Sequence, residues 1–199
     1  NKIKNLSLNY KIDKFVASCH GSSQAFIGYD NEILIDITDY ESNFDLYKNE
    51  YKKIIPKFRK SLTPLLDGGA NLGMQIFYVK KKYPKILDKT KFILSYPQFI
   101  AWKLSSSFNS EISYIGCHTH YWDFKKNTFS DFCKDMGIDK KFPNIVPAWK
   151  HTGFYRINKK KIKIFNGIHD SNASYLYLLK SKYQDCTLIS SGTWYIIFN

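Results

Sequence analysis

Gly167-Ile168-His169-Asp170-Ser171-Asn172-Ala173, followed further along by Ser190-Ser191-Gly192-Thr193-Trp194, decides how this chain is read. The first stretch sets an imidazole and a carboxylate side by side where a loop becomes a helix. The second sets a Gly-Thr turn between two apolar, strand-like runs. A carboxylate in reach of an alcohol can take its proton. Gly192, without a Cβ, lets backbone N–H groups approach a phosphate, and the Thr193 hydroxyl adds a donor. Together they suit phosphoryl transfer to a hydroxyl group. Each also has an ordinary structural reading. Asp170 or Ser171 caps the helix that follows, and Gly192-Thr193 turns a hairpin. A lone histidine such as His169 is more often a structural hydrogen-bonding residue.

Working outward, the pattern mixes strands and helices and predicts an α/β class. Phe15 to Cys19 reads as a buried strand ending at His20-Gly21-Ser22-Ser23. Ala25–Tyr29 and Glu32–Ile35 read as a hairpin about Asp30-Asn31. Asn43 is placed to cap a helix carrying Phe44, Tyr47, Tyr51, Ile54 and Ile55, limited by Pro56. Asn71 opens a second helix, Leu72 to Lys82, closed near Pro84. Lys91 to Leu94 is a short strand, and Tyr96 to Leu104 a helix with Pro97 in its first turn. Ile112 to Ile115 begins an extended stretch. Ser130 caps a short helix ending at Gly137, and Pro143 and Pro147 mark an irregular link. Ile162 to Phe165 alternates as a strand, Ser171 to Lys182 is helical, and Cys186–Ser190 and Tyr195–Phe198 are strands. A composition shift at Asn158 to Lys161 suggests a domain boundary, giving units 1–158 and 159–199.

Composition narrows the classes. The chain has 199 residues, 44% of them hydrophobic, enough for one or two cores. No apolar run is long enough for a transmembrane helix, so no membrane partner is expected. The formal net charge is +13. Nearly all of the cations are lysines, however, and the only arginines are Arg59 and Arg156. Base and phosphate forks favour Arg. The abundance of Lys, Asn, Ile, Tyr and Phe fits A/T-rich codon usage equally well, so no nucleic-acid partner is expected. The four cysteines, Cys19, Cys117, Cys133 and Cys186, are scattered without a C-x-x-C pair and fit a reducing cytoplasm. The N-terminus has no initiator Met and the C-terminus stops within an apolar run. Both ends read as cut, so the chain is expected to be an internal piece of a longer protein.

Two further constellations stand out. Cys19-His20-Gly21-Ser22-Ser23 closes a strand, where α/β folds often bind ligands, although an ordinary turn explains it as well. His118 and His120 on a strand would share a face, with Asp123 beyond. No H-E-x-x-H motif or second His cluster completes a metal site there, so no metal is assigned. No G-x-x-x-x-G-K-[ST] or G-x-G-x-x-G loop occurs.

In order, these pieces resemble an FGGY-family carbohydrate kinase over nearly the whole chain. Cys19-His20-Gly21 resembles the His-Gly that meets the sugar in xylulokinases. Asp36-Ile37-Thr38-Asp39-Tyr40-Glu41 falls where the family has an Asp-ended segment lining the sugar pocket. Pro97 to Leu104 with Glu111 resembles the family's helix, Leu-Thr-Gly turn and Glu, with Ser105-Ser106 in place of Thr-Gly. Thr119-His120-Tyr121-Trp122-Asp123 with Phe129-Ser130 resembles its Thr-x-Leu-x-Asp and Trp-Ser. Gly137-Ile138, Pro143 to Val146 and Gly153 fit the next block. His169-Asp170 and Ser190 to Trp194 are most similar to the His-Asp pair and second phosphate turn of rhamnulokinases.

The resemblance implies a ribonuclease H-like, actin/hexokinase-type two-domain fold, truncated at both ends: most of the first domain, then the opening of the second. It implies ATP and Mg²⁺ as cofactors and a sugar as substrate, with L-rhamnulose or L-fuculose favoured. Asp170 would be the catalytic base. His20, Gly21, Asp39 and His169 would orient the sugar, and Gly192 and Thr193 would hold phosphate. The family's first Asp-x-Gly-Thr phosphate hairpin and its adenosine site have no counterpart here, so residues 1–199 alone are expected to be inactive. The alternatives are a kinase-like sugar-binding or regulatory protein without catalysis, and a metal-dependent hydrolase using His118, His120 and Asp123.

Overall fold

A computed structural model describes residues 2–117, 119–157, 159–181, 185–191 and 196–198. In chain order, helix α1 (Lys2–Asn9) precedes the short strands β1 (Lys14–Phe15) and β2 (Ser18–Cys19). Strands β3 (Gln24–Gly28) and β4 (Ile33–Ile35) follow, then α2 (Lys48–Ile54), α3 (Phe58–Ser61), α4 (Leu72–Lys82) and α5 (Pro84–Lys89). Next come β5 (Thr90–Ser95), α6 (Tyr96–Ser105), α7 (Ile112–Ile115), β6 (Trp122–Asp123), β7 (Thr128–Phe129) and α8 (Asp131–Asp135). The last part holds β8 (His151–Ile157), β9 (Lys160–Phe165), β10 (Ile168–His169), α9 (Asp170–Leu179), β11 (Leu188–Ser190) and β12 (Ile196–Phe198).

The core is layered because its central strands are apolar on both faces. The antiparallel sheet β4-β3-β5 has side chains alternating with the two-residue strand period. Phe26 and Ile93 face Tyr51 of α2, Met74, Ile76 and Phe77 of α4, and Phe132 of α8. Ala25, Ile27 and Leu94 face the other way, onto Trp102 of α6. Ala101, on another side of the same helix, packs on Ile162 and Ile164 of β9. Helix α6 therefore lies between two sheets, the second ordered β1-β9-β8. Each buried Leu, Ile, Met or Phe among these contributes roughly 1.5–3 kcal/mol on burial.

Local signals set several elements where expected. Asn71 caps α4, its side chain accepting the Met74 N–H at 3.2 Å, and α4 spans Leu72–Lys82. Asn31 takes a φ of 64° in the β3–β4 turn. Helix α6 begins with Pro97 in its first turn and ends at Ser106, whose φ is 59°. That left-handed residue stands where a glycine was expected from the resemblance. Ser130 caps α8 by accepting the Cys133 N–H at 3.1 Å. Ser130→Ala should cost about 1 kcal/mol of stability, read as a lowered denaturant midpoint at unchanged m-value; an unchanged midpoint would show that the cap carries no weight.

Other expectations are corrected. The strand from Phe15 to Cys19 is two strands with separate partners: β1 pairs with β9 and β2 with β10, both parallel. Between them Val16 is exposed and the Ala17 carbonyl accepts the Ile168 N–H. The break follows Gly167, which separates β9 from β10 at a φ of +88°; a Cβ there would meet the Ala17 oxygen and the Pro97 Cβ at 2.8 Å each. Ile112 to Ile115 is helical, not extended, because Glu111 accepts the Ser113 N–H and starts a turn. The helix expected from Asn43 is interrupted: Asn43 accepts the Asp45 N–H, a 3₁₀ turn spans Asp45–Tyr47, and α2 starts only at Lys48. Strand β8 carried no sequence signal, yet pairs along β9 from His151 to Ile157. Strands β8 and β9 form an antiparallel hairpin, with Ile157 opposite Lys160 and His151 opposite Phe165.

Candidate active site

The parallel strands β2 and β10 run side by side, with Ile168 opposite Ser18 and His169 opposite Cys19. Their carboxyl ends therefore deliver His20 and Asp170 to the same edge, the place where open α/β sheets bind ligands. Around this edge stand aromatic rings from other elements. The His20 ring lies edge-on to Tyr40 at 5.2 Å and to Tyr96, the first residue of α6, at 5.5 Å. The buried Tyr114 of α7 lies edge-on to His169 at 5.3 Å.

The hydrogen bonds assign the two imidazoles opposite roles. His169 caps α9, with Nδ1 accepting the Ser171 N–H at 3.3 Å. Nδ1 is then bare and Nε2 carries the proton, a donor for an incoming oxygen. Burial, and secondarily the neighbouring His20, hold the His169 pKa below its ordinary 6.5, against the pull of Asp170. The ring is thus neutral at pH 7, and its Nδ1, 3.4 Å from Asp170 Oδ1, makes no ion pair there. His20 has Nδ1 at 2.7 Å from the Gly21 carbonyl, which only accepts. Its Nδ1 therefore carries a proton, and in the neutral ring Nε2 is the acceptor. The exposed Asp170 has Oδ1 tied to the Ser171 N–H at 2.6 Å, while Oδ2 has no protein partner among the described residues. The N-terminal turn of α9 favours the negative charge.

The depressed His169 value links to stability. The unfolded chain binds a proton near pH 6.5 that the folded chain resists. Stability is therefore complete above that pH and declines as the pH falls from 6.5 toward the folded value. His169→Gln should flatten this acid limb in thermal melts from pH 7 to 5; an identical limb would show that another group sets it.

The loops beside His20 are held by a buried polar network. Gln75 of α4 donates to the Ser22 carbonyl at 2.8 Å and accepts from Thr38 Oγ1 at 2.7 Å. Gln24 donates to Gln75 Oε1 at 3.2 Å, and its N–H to Thr38 Oγ1 at 3.0 Å. Ser22, at a φ of 65°, donates to the Ala70 carbonyl. One helix residue thereby fixes both the His20-Gly21 loop and the segment leading to Asp39 and Tyr40.

The structure brings His20, Gly21, His169 and Asp170 together. Asp39 lies one residue from Tyr40, exposed, its carboxylate accepting the Glu41 N–H at 2.9 Å. Gly192 and Thr193 lie outside the described residues; the flanking β11 and β12 pair antiparallel. His118 also lies outside them. His120 and Asp123 are not brought together as ligands. His120 is buried, with its Nδ1 at 2.9 Å from the Tyr51 hydroxyl and its Nε2 at 3.2 Å from the Thr63 carbonyl. Asp123 accepts the Lys125 and Lys126 N–H groups in a surface turn, which lower its pKa. Burial and Asp170 push the Cys19 thiol up to about 11 and the Cys117 thiol up to about 12, so neither is a ready nucleophile.

Sequence reasoning missed Tyr96, Tyr114 and Gln75. A tyrosine at the start of a Pro-capped helix, directly after a strand, was the one available signal, for Tyr96. A groove of about 470 Å³ opens beside α9 among Leu62, Phe124, Trp149, Ile168 and Tyr175, but His20, His169 and Asp170 do not line it.

No family model matches the chain, and no curated protein does. Solved structures do. A carbohydrate kinase from Novosphingobium aromaticivorans matches at TM-score 0.89 and 25% identity, over 98% of this chain and 44% of its own. A xylulose kinase from Lactobacillus acidophilus matches at 0.72 and 16%, over 87% and 38%. A glycerol kinase from Plasmodium falciparum, solved with ADP, matches at 0.68 and 14%, over 87% and 38%. The chain spans less than half the length of each of these. Its mixed α/β layers are part of the ribonuclease H-like fold of the sugar kinases.

Proposed function

We propose that the protein to which these residues belong is an ATP-dependent carbohydrate kinase that phosphorylates a sugar hydroxyl, with a ketose such as L-rhamnulose or L-fuculose as substrate. The observation that carries this is the parallel pairing of β2 and β10, which sets His20 beside His169-Asp170 at one sheet edge. His169 Nε2–H donates to a sugar oxygen, and His20 Nε2 accepts from a sugar hydroxyl. Asp170 Oδ2 takes the proton of the reacting hydroxyl as that oxygen bonds to the γ-phosphorus of ATP and the bond to ADP breaks. Mg²⁺-bound ATP supplies the phosphoryl group, and Gly192 and Thr193 hold its phosphates. Phosphoryl transfer of this kind depends on positioning and charge stabilisation.

The division into most of a first domain, 1–158, and the opening of a second, 159–199, belongs to the same proposal, with the β8–β9 hairpin joining the two. Among the described residues no helix is long and apolar enough to cross a membrane. A cytoplasmic site of action belongs to the same proposal. The full-length protein should be screened with ketoses and polyols for sugar-dependent ADP release. Turnover with one of them is expected; tight sugar binding without turnover would favour a non-catalytic sugar-binding or regulatory protein instead.

The lysine excess takes no part in this chemistry. Lys80, Lys81 and Lys82 close α4, where cations complement the helix dipole, and Lys81 pairs with Glu50 at 2.7 Å. Binding to duplex DNA should be weak and fade steeply with added salt. A salt-resistant, sequence-selective complex would overturn that expectation.

A further inference from the structure

The ladder that joins β2 to β10 has only two paired positions, yet it carries His20 on one strand and His169-Asp170 on the other. So short a ladder is a weak guarantee of the spacing between them. Tyr114 bridges it. The side chain is buried, its ring lies against the His169 imidazole at 5.3 Å, and its hydroxyl donates to the Cys19 carbonyl at 3.1 Å and to the adjoining His20 carbonyl. One end of the residue thus touches the end of β10 and the other the end of β2. Its backbone is held by α7, where the neighbouring Ser113 Oγ accepts the His169 N–H at 3.2 Å and Glu111 accepts the Ser113 N–H at 2.9 Å.

We infer that Tyr114 is a positioning residue, a cross-brace whose hydroxyl sets where His20 stands relative to His169 and Asp170, and so sets the sugar-binding geometry. This rests on the proposed sugar site. Tyr114 touches neither sugar nor phosphate in this scheme and acts through the carbonyls it holds. Tyr114→Phe is the discriminating change, because it keeps the ring against His169 and deletes only the hydroxyl. Leu or Ala would also open a cavity beneath His169.

Two measurements on the full-length protein test the inference. The first needs no sugar. Amide exchange in Tyr114→Phe should speed up about 10-fold, roughly one hydrogen bond's worth, at residues 18–21 and 168–171, with β3 and α4 unchanged. Uniform acceleration, or none, would make Tyr114 merely structural and overturn the inference. The second is a double-mutant cycle on ketose binding by calorimetry. Tyr114→Phe should weaken binding about 10-fold in the wild-type background and add little once His20 is Ala, since its effect runs through His20. Fully additive losses, or an unaltered affinity, would overturn it. If no ketose binds the wild-type protein, the kinase reading fails, while local exchange at the two strand ends still decides whether Tyr114 is the brace.

Discussion

Asp170→Asn in the full-length protein should lower the kcat of the proposed sugar phosphorylation by at least about 100-fold, with only a modest change in sugar affinity, the signature of a lost general base. The substitution isolates the chemistry because the carboxamide keeps the shape. Its Oδ1 still accepts the Ser171 N–H that Asp170 holds at 2.6 Å, so α9 still begins correctly. What disappears is the basic oxygen, Oδ2, which has no other protein partner among the described residues. Burial does not confuse the result, because Asp170 is exposed and its replacement leaves no cavity. Near-normal turnover would return Asp170 to the role of a helix cap.

His20→Ala and His169→Ala should each weaken sugar binding by about 1–3 kcal/mol, the penalty for leaving a polar partner unpaired. ATP affinity should barely move. His169→Ala also removes an acceptor for the Ser171 N–H, but Asp170 Oδ1 already serves that group, so the helix start survives. Equal losses for sugar and ATP in either variant would indicate a folding defect rather than a binding role.

Much of this was legible in the chain itself. Helix α4 lies where Asn71 and Pro84 bracket it, α6 where Pro97 starts it, and the β3–β4 hairpin where Asp30-Asn31 turns it. These signals are local: a side-chain cap, a fixed φ, a residue that tolerates the left-handed region. The pairing of His169 with Asp170 is local too, since neighbours in sequence at a helix start must be neighbours in space.

Other features had no local signal. The run from Phe15 to Cys19 looks like one strand, and it breaks only because β9 and β10 are separated by Gly167. Ile112 to Ile115 carries β-favouring residues, yet the Glu111 cap and the burial of Tyr114 and Ile115 make a helical turn of it. Tyr114 meets the Cys19 carbonyl across 95 residues of chain, and Gln75 meets the Ser22 carbonyl across 53. No window of sequence contains both partners.

By itself, then, the sequence determined the α/β class, the main helices, and the imidazole–carboxylate pair at a helix start, because each rests on interactions within a few residues. Tertiary structure alone decided that His20 stands beside that pair, that His169 is buried with its pKa held down, and that His120 belongs to the core. Those outcomes depend on parallel strand pairing, burial and hydrogen bonds between distant segments, which exist only once the layers have packed.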